Sequence, residues 1–197
     1  MATDSTIPTV PSLRPKRADA RRNYDKLIAA AREAFTEHDS TASLEDIARR
    51  AGVGIGTLYR HFPTRKDLLA AVYEEEVEAI CRSADDLAGL APWDALTAWL
   101  HRFVGYATTK KALAQELVNY VDPDDQVFRT CREAVNGTGD ALLERAKAAG
   151  DVRPDARFAD IGRMVVSIAT MPAAEPEQIE RILDLALDGL RYRPAAT

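Results

Sequence analysis

Apolar residues recur along this chain at intervals of three and four from Tyr24 to Leu190, and no stretch shows the two-residue alternation of a half-buried strand. The pattern predicts an all-α fold of about nine helices. Tyr24, Leu27, Ile28, Ala31 and Phe35 line the inner face of a first helix. A second starts at Ser43, a capping hydroxyl with Asp46 three residues on. Its inner face is Leu44, Ile47, Ala48 and Ala51, and Gly52 follows where a helix end wants left-handed backbone. A third, short helix carries Ile55, Leu58 and Phe62. Pro63 ends it, and Thr64 with Asp67 caps a longer helix from Arg65 to about Arg82, through Leu69, Val72, Tyr73, Val77 and Ile80. Pro92 opens a helix with Leu96, Trp99, Leu100, Phe103 and Tyr106, followed by a short helical segment from about Leu113 to Val121. Asp122-Pro123 starts another, through Val127, Phe128, Cys131 and Val135. Gly137 and Gly139 weaken it before it resumes at Leu142, Leu143 and Ala146 and stops at Gly150. The last two helices carry Phe158, Ile161, Val165 and Ile168, then Ile179, Ile182, Leu183, Ala186 and Leu190, with Arg191–Thr197 a frayed tail.

The stretch AGVGIGTLYRHF, residues 51–62, holds three glycines at Gly52, Gly54 and Gly56. A dinucleotide-binding turn needs glycine at its first, third and sixth positions straight after a strand. Here a helix precedes, and the sixth position from Gly52 is Thr57. No Lys-Ser/Thr pair follows, which excludes a phosphate loop of the nucleotide-hydrolase kind. Two short helices joined at Gly52-Val53-Gly54 instead make a helix-turn-helix. Val53 plugs the turn, and Leu58 and Phe62 hold the second helix inward. That leaves Thr57, Tyr59, Arg60 and His61 outward, with Gly56 on the same side, in the arrangement that brings side chains to base edges and phosphates in a groove. Thr57 offers a hydroxyl and a methyl, Tyr59 a hydroxyl on a rigid ring, Arg60 a fork for guanine or phosphate, and His61 a donor. Arg65 and Lys66 open the next helix, whose amides attract phosphate. Any one of these residues alone is an ordinary surface group; in register they point to DNA.

Charge sharpens the picture. The net charge is −5, yet residues 1–66 hold 12 Lys/Arg against 8 Asp/Glu, while residues 67–197 hold 14 against 23. An anionic partner therefore suits the N-terminal part only. The segment RPKRADARR, residues 14–22, has five basic groups and one acid, and either lies along a nucleic-acid backbone or is merely a solvated tail. Residues 1–20, Pro-rich and polar, are expected to be a disordered basic arm, 21–66 a helix-turn-helix DNA-binding domain, and 67–197 a second helical domain. No apolar run approaches the ~20 residues that span a bilayer, and the first twenty residues contain no hydrophobic block, so the expectation is a cytoplasmic protein without a membrane partner. Cys81 and Cys131 read as buried thiols, with no metal or disulfide pattern. Glu116, Asp122, Asp124, Asp125 and His101 lack the spacing of a metal site or of a nucleophile–base pair, which argues against an enzyme and for no cofactor.

Residues 43–48, SLEDIA, followed by AGVGIGTLYRHFPTRKDLL resemble the DNA-binding segment of the TetR family of transcriptional regulators over residues 23–70. The most specific part is Gly56-Thr57-Leu58-Tyr59 with Phe62, Arg65 and Leu68-Leu69. The resemblance implies DNA contacts by Thr57, Tyr59 and His61 and a phosphate contact by Arg65. With the chemistry above, the candidate DNA-binding set is Ser43, Gly54, Gly56, Thr57, Tyr59, Arg60, His61, Arg65 and Lys66. Gly54 stands where the family commonly has Ser or Thr, and Lys66 where an acid is common. WLHRFVGYATTKKALAQEL, residues 99–117, resembles the SbtR-like C-terminal domains of that family. The family implies a ligand-binding and dimerisation function for the acidic C-terminal part. Trp99, Phe103, Tyr106, Tyr120, Phe128 and Met164 either line an apolar effector cavity or pack as plain core. Ile161, Val165, Ile168, Ile179, Leu183, Leu187 and Leu190 are the candidate dimerisation set, two helices from each subunit forming a four-helix bundle. The expected protein is a homodimeric repressor that binds a palindromic double-stranded DNA operator and is released by a small-molecule effector. The alternative is a helical interaction protein whose helix-turn-helix no longer binds DNA.

Overall fold

The computed structural model describes residues 14–15, 17–37, 42–122 and 125–191. It has eight α-helices and one 3₁₀ turn among those residues: α1 (Ala18–Glu37), α2 (Leu44–Arg50), α3 (Ile55–His61), α4 (Arg65–Arg82), the turn Asp85–Leu87, α5 (Pro92–Leu117), α6 (Gln126–Ala148), α7 (Phe158–Ala169) and α8 (Pro176–Asp188). An isolated antiparallel bridge pairs Val152 with Arg191, and no strand occurs among the described residues. The all-α expectation holds. Most of the expected arm, residues 1–13 and 16, lies outside the described residues, as do Pro123, Asp124 and most of the C-terminal tail. Ala18, Asp19 and Ala20, expected in the arm, already belong to α1.

Capping follows the sequence closely. Ser43 Oγ accepts from the Asp46 amide at 3.0 Å. Gly52, with φ +63°, ends α2: its amide donates to Arg49 O at 3.1 Å and that of Val53 to Ala48 O at 3.0 Å. Thr64 and Asp67 cap each other before α4, Asp67 N to Thr64 Oγ1 at 3.2 Å and Thr64 N to Asp67 Oδ2 at 2.9 Å.

Three boundaries differ from the pattern. The segment expected as a separate helix at 113–121 is the end of an unbroken α5, which stops at Leu117 and is followed by a turn. Polar Thr108 does not break it, because its hydroxyl donates back to Val104 O at 3.1 Å. The helix expected from Asp122-Pro123 starts at Gln126, with Asp125 Oδ1 accepting from the Val127 amide at 3.0 Å. Gly137 and Gly139 do not interrupt α6. A Cβ on Gly139 would stand 2.2 Å from the Phe158 ring, so the glycine admits an aromatic side chain rather than ending a helix.

Two compact units divide the chain. In the described residues, one unit comprises 14–76 and 109–130 and the other 77–108 and 131–191, so α4, α5 and α6 each contribute to both. In the first, α2 packs on α1 and α3. Leu27, Ile47, Leu58, Leu68 and Leu69 are fully buried there, each side chain contributing about 1.5–3 kcal/mol of hydrophobic stabilisation. Arg14 binds the buried Glu75 through two hydrogen bonds, at 2.8 and 3.2 Å, and Arg32 pairs with Glu76. The Tyr73 ring meets Phe128 edge-on at 5.3 Å.

The second unit is built on aromatic packing. Trp99 stacks on Phe103 at 5.4 Å, Phe103 stacks on Tyr106 at 5.5 Å, and Phe158 leans on both Trp99 and Phe103. The buried Trp99 indole donates to Ile80 O at 3.0 Å. Trp93 lies under the Arg191 guanidinium, 4.5 Å from the ring centre. Helix α7 packs on α8, and His101 bridges from α5 to Glu180 at 2.6 Å and Asp184 at 3.2 Å on α8.

Candidate nucleic-acid interface

Helix α3 is held by two anchors. Leu58 is fully buried, and Phe62, just past the helix, packs its ring 5.3 Å from that of Tyr24 on α1. With those two fixed inward, the helical period turns Tyr59 and Arg60 outward; Tyr59 is 44% exposed and Arg60 is exposed. Thr57 is half-buried on the flank. Gly54 and Gly56 are exposed, and a Cβ on either would meet nothing within 4 Å, so the start of the helix is open surface. Gly54 is the N-cap in extended backbone and supplies no side-chain cap.

Ile55, one of the apolar positions of the helix pattern, also faces out, at 38% exposure. It precedes Tyr59 by four residues, so the two share one face, and the spacing alone could have found it. An exposed isoleucine beside a tyrosine and an arginine gives this face an apolar element suited to a thymine methyl.

Other candidates are committed within the protein. The Ser43 hydroxyl caps α2 and is half-buried, and Asp46 is held below its ordinary carboxyl value by hydrogen bonds from Arg49 and Ser43. His61 is half-buried, its ring edge-on to Tyr24 at 6.2 Å. Burial, then the Arg60 cation, hold its imidazole below the ordinary value, which favours the neutral ring. Lys66 is exposed at the start of α4. Arg65 is turned inward: its guanidinium donates to Ala42 O at 2.5 Å and to Glu116 at 3.3 Å, and lies 5.0 Å from the Phe35 ring centre.

Comparison with known proteins bears on this geometry. Residues 27–72 match the model of the bacterial regulatory proteins of the tetR family, and residues 91–192 match that of the SbtR-like transcriptional regulator C-terminal domain. A TetR transcriptional regulator of Streptomyces coelicolor has a solved structure 44% identical to this chain, covering 88% of it and 99% of that chain, with a TM-score of 0.74. The chain belongs to the TetR family of transcriptional regulators. A TetR regulator from Mycobacterium vanbaalenii is similar at 36% identity over 90% of this chain and 100% of that one, with a TM-score of 0.75. An HTH-type transcriptional regulator of Staphylococcus aureus is 33% identical over 76 residues, which is 38% of this chain and 40% of that protein's length.

As a TetR-family member the protein is a non-enzymatic DNA-binding regulator. No helix among its described residues is long and apolar enough to cross a membrane, and no cluster of His, Cys, Asp and Glu there could hold a metal. The six candidate effector residues of this TetR-family chain are divided between the units, Trp99, Phe103, Tyr106 and Met164 in one and Tyr120 and Phe128 in the other. Trp99, Phe103 and Tyr106 form one buried ladder. Phe128 belongs to the other unit, against Tyr73, and Tyr120 is exposed there. Met164 is half-buried beside a shallow cleft of about 240 Å³ lined also by Arg157, Asp160 and Leu190. Of the dimerisation candidates, Ile161, Val165, Ile168, Leu183 and Leu187 are buried in the chain's own core, while Ile179 and Leu190 are half-buried. The apolar groups that α7 and α8 leave outside are Val166 and Leu185, the latter 72% exposed, with Met171 just beyond α7.

Proposed function

We propose that this TetR-family regulator is a homodimeric repressor that acts in the cytoplasm, holds a palindromic operator through α3, and is released by a small-molecule effector. The observation that carries the reading is the outward row of Ile55, Tyr59 and Arg60 on a short helix locked by buried Leu58 and Phe62. Two such helices related by a twofold axis reach successive major grooves at a separation of ~34–36 Å, which requires an operator with matching half-sites. Thr57 and Lys66 flank that row, and Gly54 and Gly56 let the backbone approach. The exposed apolar groups Leu185 and Val166 support self-association through the outer face of α7 and α8.

The effector is proposed to meet the C-terminal unit beside the buried Trp99–Phe103–Tyr106 ladder. An effector that prefers a dimer with a different recognition-helix spacing shifts the population off DNA. DNA then weakens effector binding by the same factor.

The test is selection of duplexes from a randomised pool by the purified protein, followed by fluorescence anisotropy on the enriched sequence across a salt series. Enrichment of an inverted repeat, bound with an affinity that falls steeply with salt, is expected. Failure to enrich any sequence would leave the helix-turn-helix as an interaction module.

A further inference from the structure

The family resemblance gives Arg65 to an operator phosphate, but the fold commits it inside the DNA-binding unit. We propose that Arg65 and Glu116 form a positioning pair that sets the helix-turn-helix for DNA; the proposal rests on the operator-binding reading above. One guanidinium touches three elements: the carbonyl of Ala42 at 2.5 Å, the carboxylate of Glu116 on α5 at 3.3 Å, and the face of Phe35 on α1 at 5.0 Å. Ala42 immediately precedes Ser43, the N-cap of α2, and Arg65 itself follows Phe62, the C-cap of α3, by three residues. A single side chain therefore ties the entrance of the helix-turn-helix to its exit.

Glu116 completes the arrangement. The two side chains are only 19% and 12% exposed. At that depth the attraction between them is screened less than at the surface, and removing either partner leaves a charge poorly solvated. Glu116 is held in turn by Asn119, whose amide donates to it at 3.3 Å. An operator phosphate would have to displace this carboxylate and draw the arginine off Ala42, giving up the contacts that shape the motif. Glu116 thus makes a residue from the second half of the sequence part of the DNA-reading machinery without touching DNA.

The experiment uses the full chain and the duplex enriched by the parent protein. Dissociation constants are measured at 20 °C over a salt series for the parent, Glu116→Gln, Arg65→Lys and the double variant, with thermal melting alongside. Expected are a loss of about tenfold in affinity for each single variant and a double variant no worse than either, the mark of one shared interaction. The slope of log affinity against log salt should stay that of the parent, since no phosphate contact is lost. Tighter binding by Glu116→Gln, which frees the arginine and removes a negative charge, would overturn the proposal. So would a slope reduced by ~0.9, the value for one lost phosphate, in a further variant, Arg65→Gln, which removes the cation, or lowered melting temperatures with unchanged affinity at 20 °C. A parent that enriches no duplex would bring down the operator reading and the pair together, whereas a parent that binds and variants that match it would remove the pair alone.

Discussion

Leu58 and Tyr59 are adjacent in the chain, one fully buried and the other 44% exposed, and that contrast gives α3 one anchored face and one open face, the face proposed to read DNA. Removing the Tyr59 hydroxyl isolates its contact: Tyr59→Phe should weaken operator binding by about 1.5–3 kcal/mol, the range for a hydrogen bond to a charged group. Anisotropy at fixed salt measures it, and undiminished affinity would take Tyr59 off the interface. A second residue carries a pH signature. Burial, then repulsion from Glu75, push the Glu74 carboxyl from its ordinary 4.5 up to about 7. A carboxyl raised in the fold favours the native state when protonated. Its stabilising effect is complete below about pH 4.5 and is lost as the pH rises through 7. Glu74→Gln should therefore melt higher than the parent at pH 8, with the difference closing toward pH 4.5. Calorimetric scans at matched ionic strength would show it. The sequence placed Tyr59 and Arg60 outward correctly because the helical period is local, while Thr57 and His61, read as outward, are half-buried. It missed the inward turn of Arg65 and the lean of His61 onto Tyr24, because both depend on groups that α5 and α1 bring from elsewhere in the chain.

At the scale of the element, the caps were legible for the same reason: Ser43, Gly52, and the Thr64–Asp67 pair act within four residues of themselves. The continuity of α6 was not, since glycine in a helix pattern reads as a break unless its neighbour across the core is known. That neighbour is the Phe158 ring, 2.2 Å from where a Cβ would sit at Gly139. Gly139→Ala gains about 1 kcal/mol of helix propensity but forces a rigid ring to move, at a cost of about 1–3 kcal/mol. The overlap should win, lowering the urea midpoint, and Phe158→Leu in the alanine background should recover part of the loss. A midpoint that rises in Gly139→Ala would show that the ring has room to yield.

For the whole molecule, the charge asymmetry between residues 1–66 and the acidic remainder indicated which half meets an anion. The helical period also marked α7 and α8 as strongly apolar, but it could not say how much of that surface the chain buries in its own core. The answer shifts attention from Leu183 and Leu187, buried in the protomer, to Leu185 on the outer face of α8. Leu185→Glu should leave the fold intact, convert the proposed dimer to a monomer in light scattering, and weaken operator binding through loss of the second half-site. A variant that remains dimeric would move the interface elsewhere. The aromatic ladder has a practical consequence as well. Both indoles of the chain, Trp93 and Trp99, lie in the C-terminal unit, and Trp99 is buried against Phe103. Tryptophan emission, excited selectively over tyrosine, therefore has its source in that unit alone, so the unlabelled protein carries a native optical gauge beside the proposed effector site.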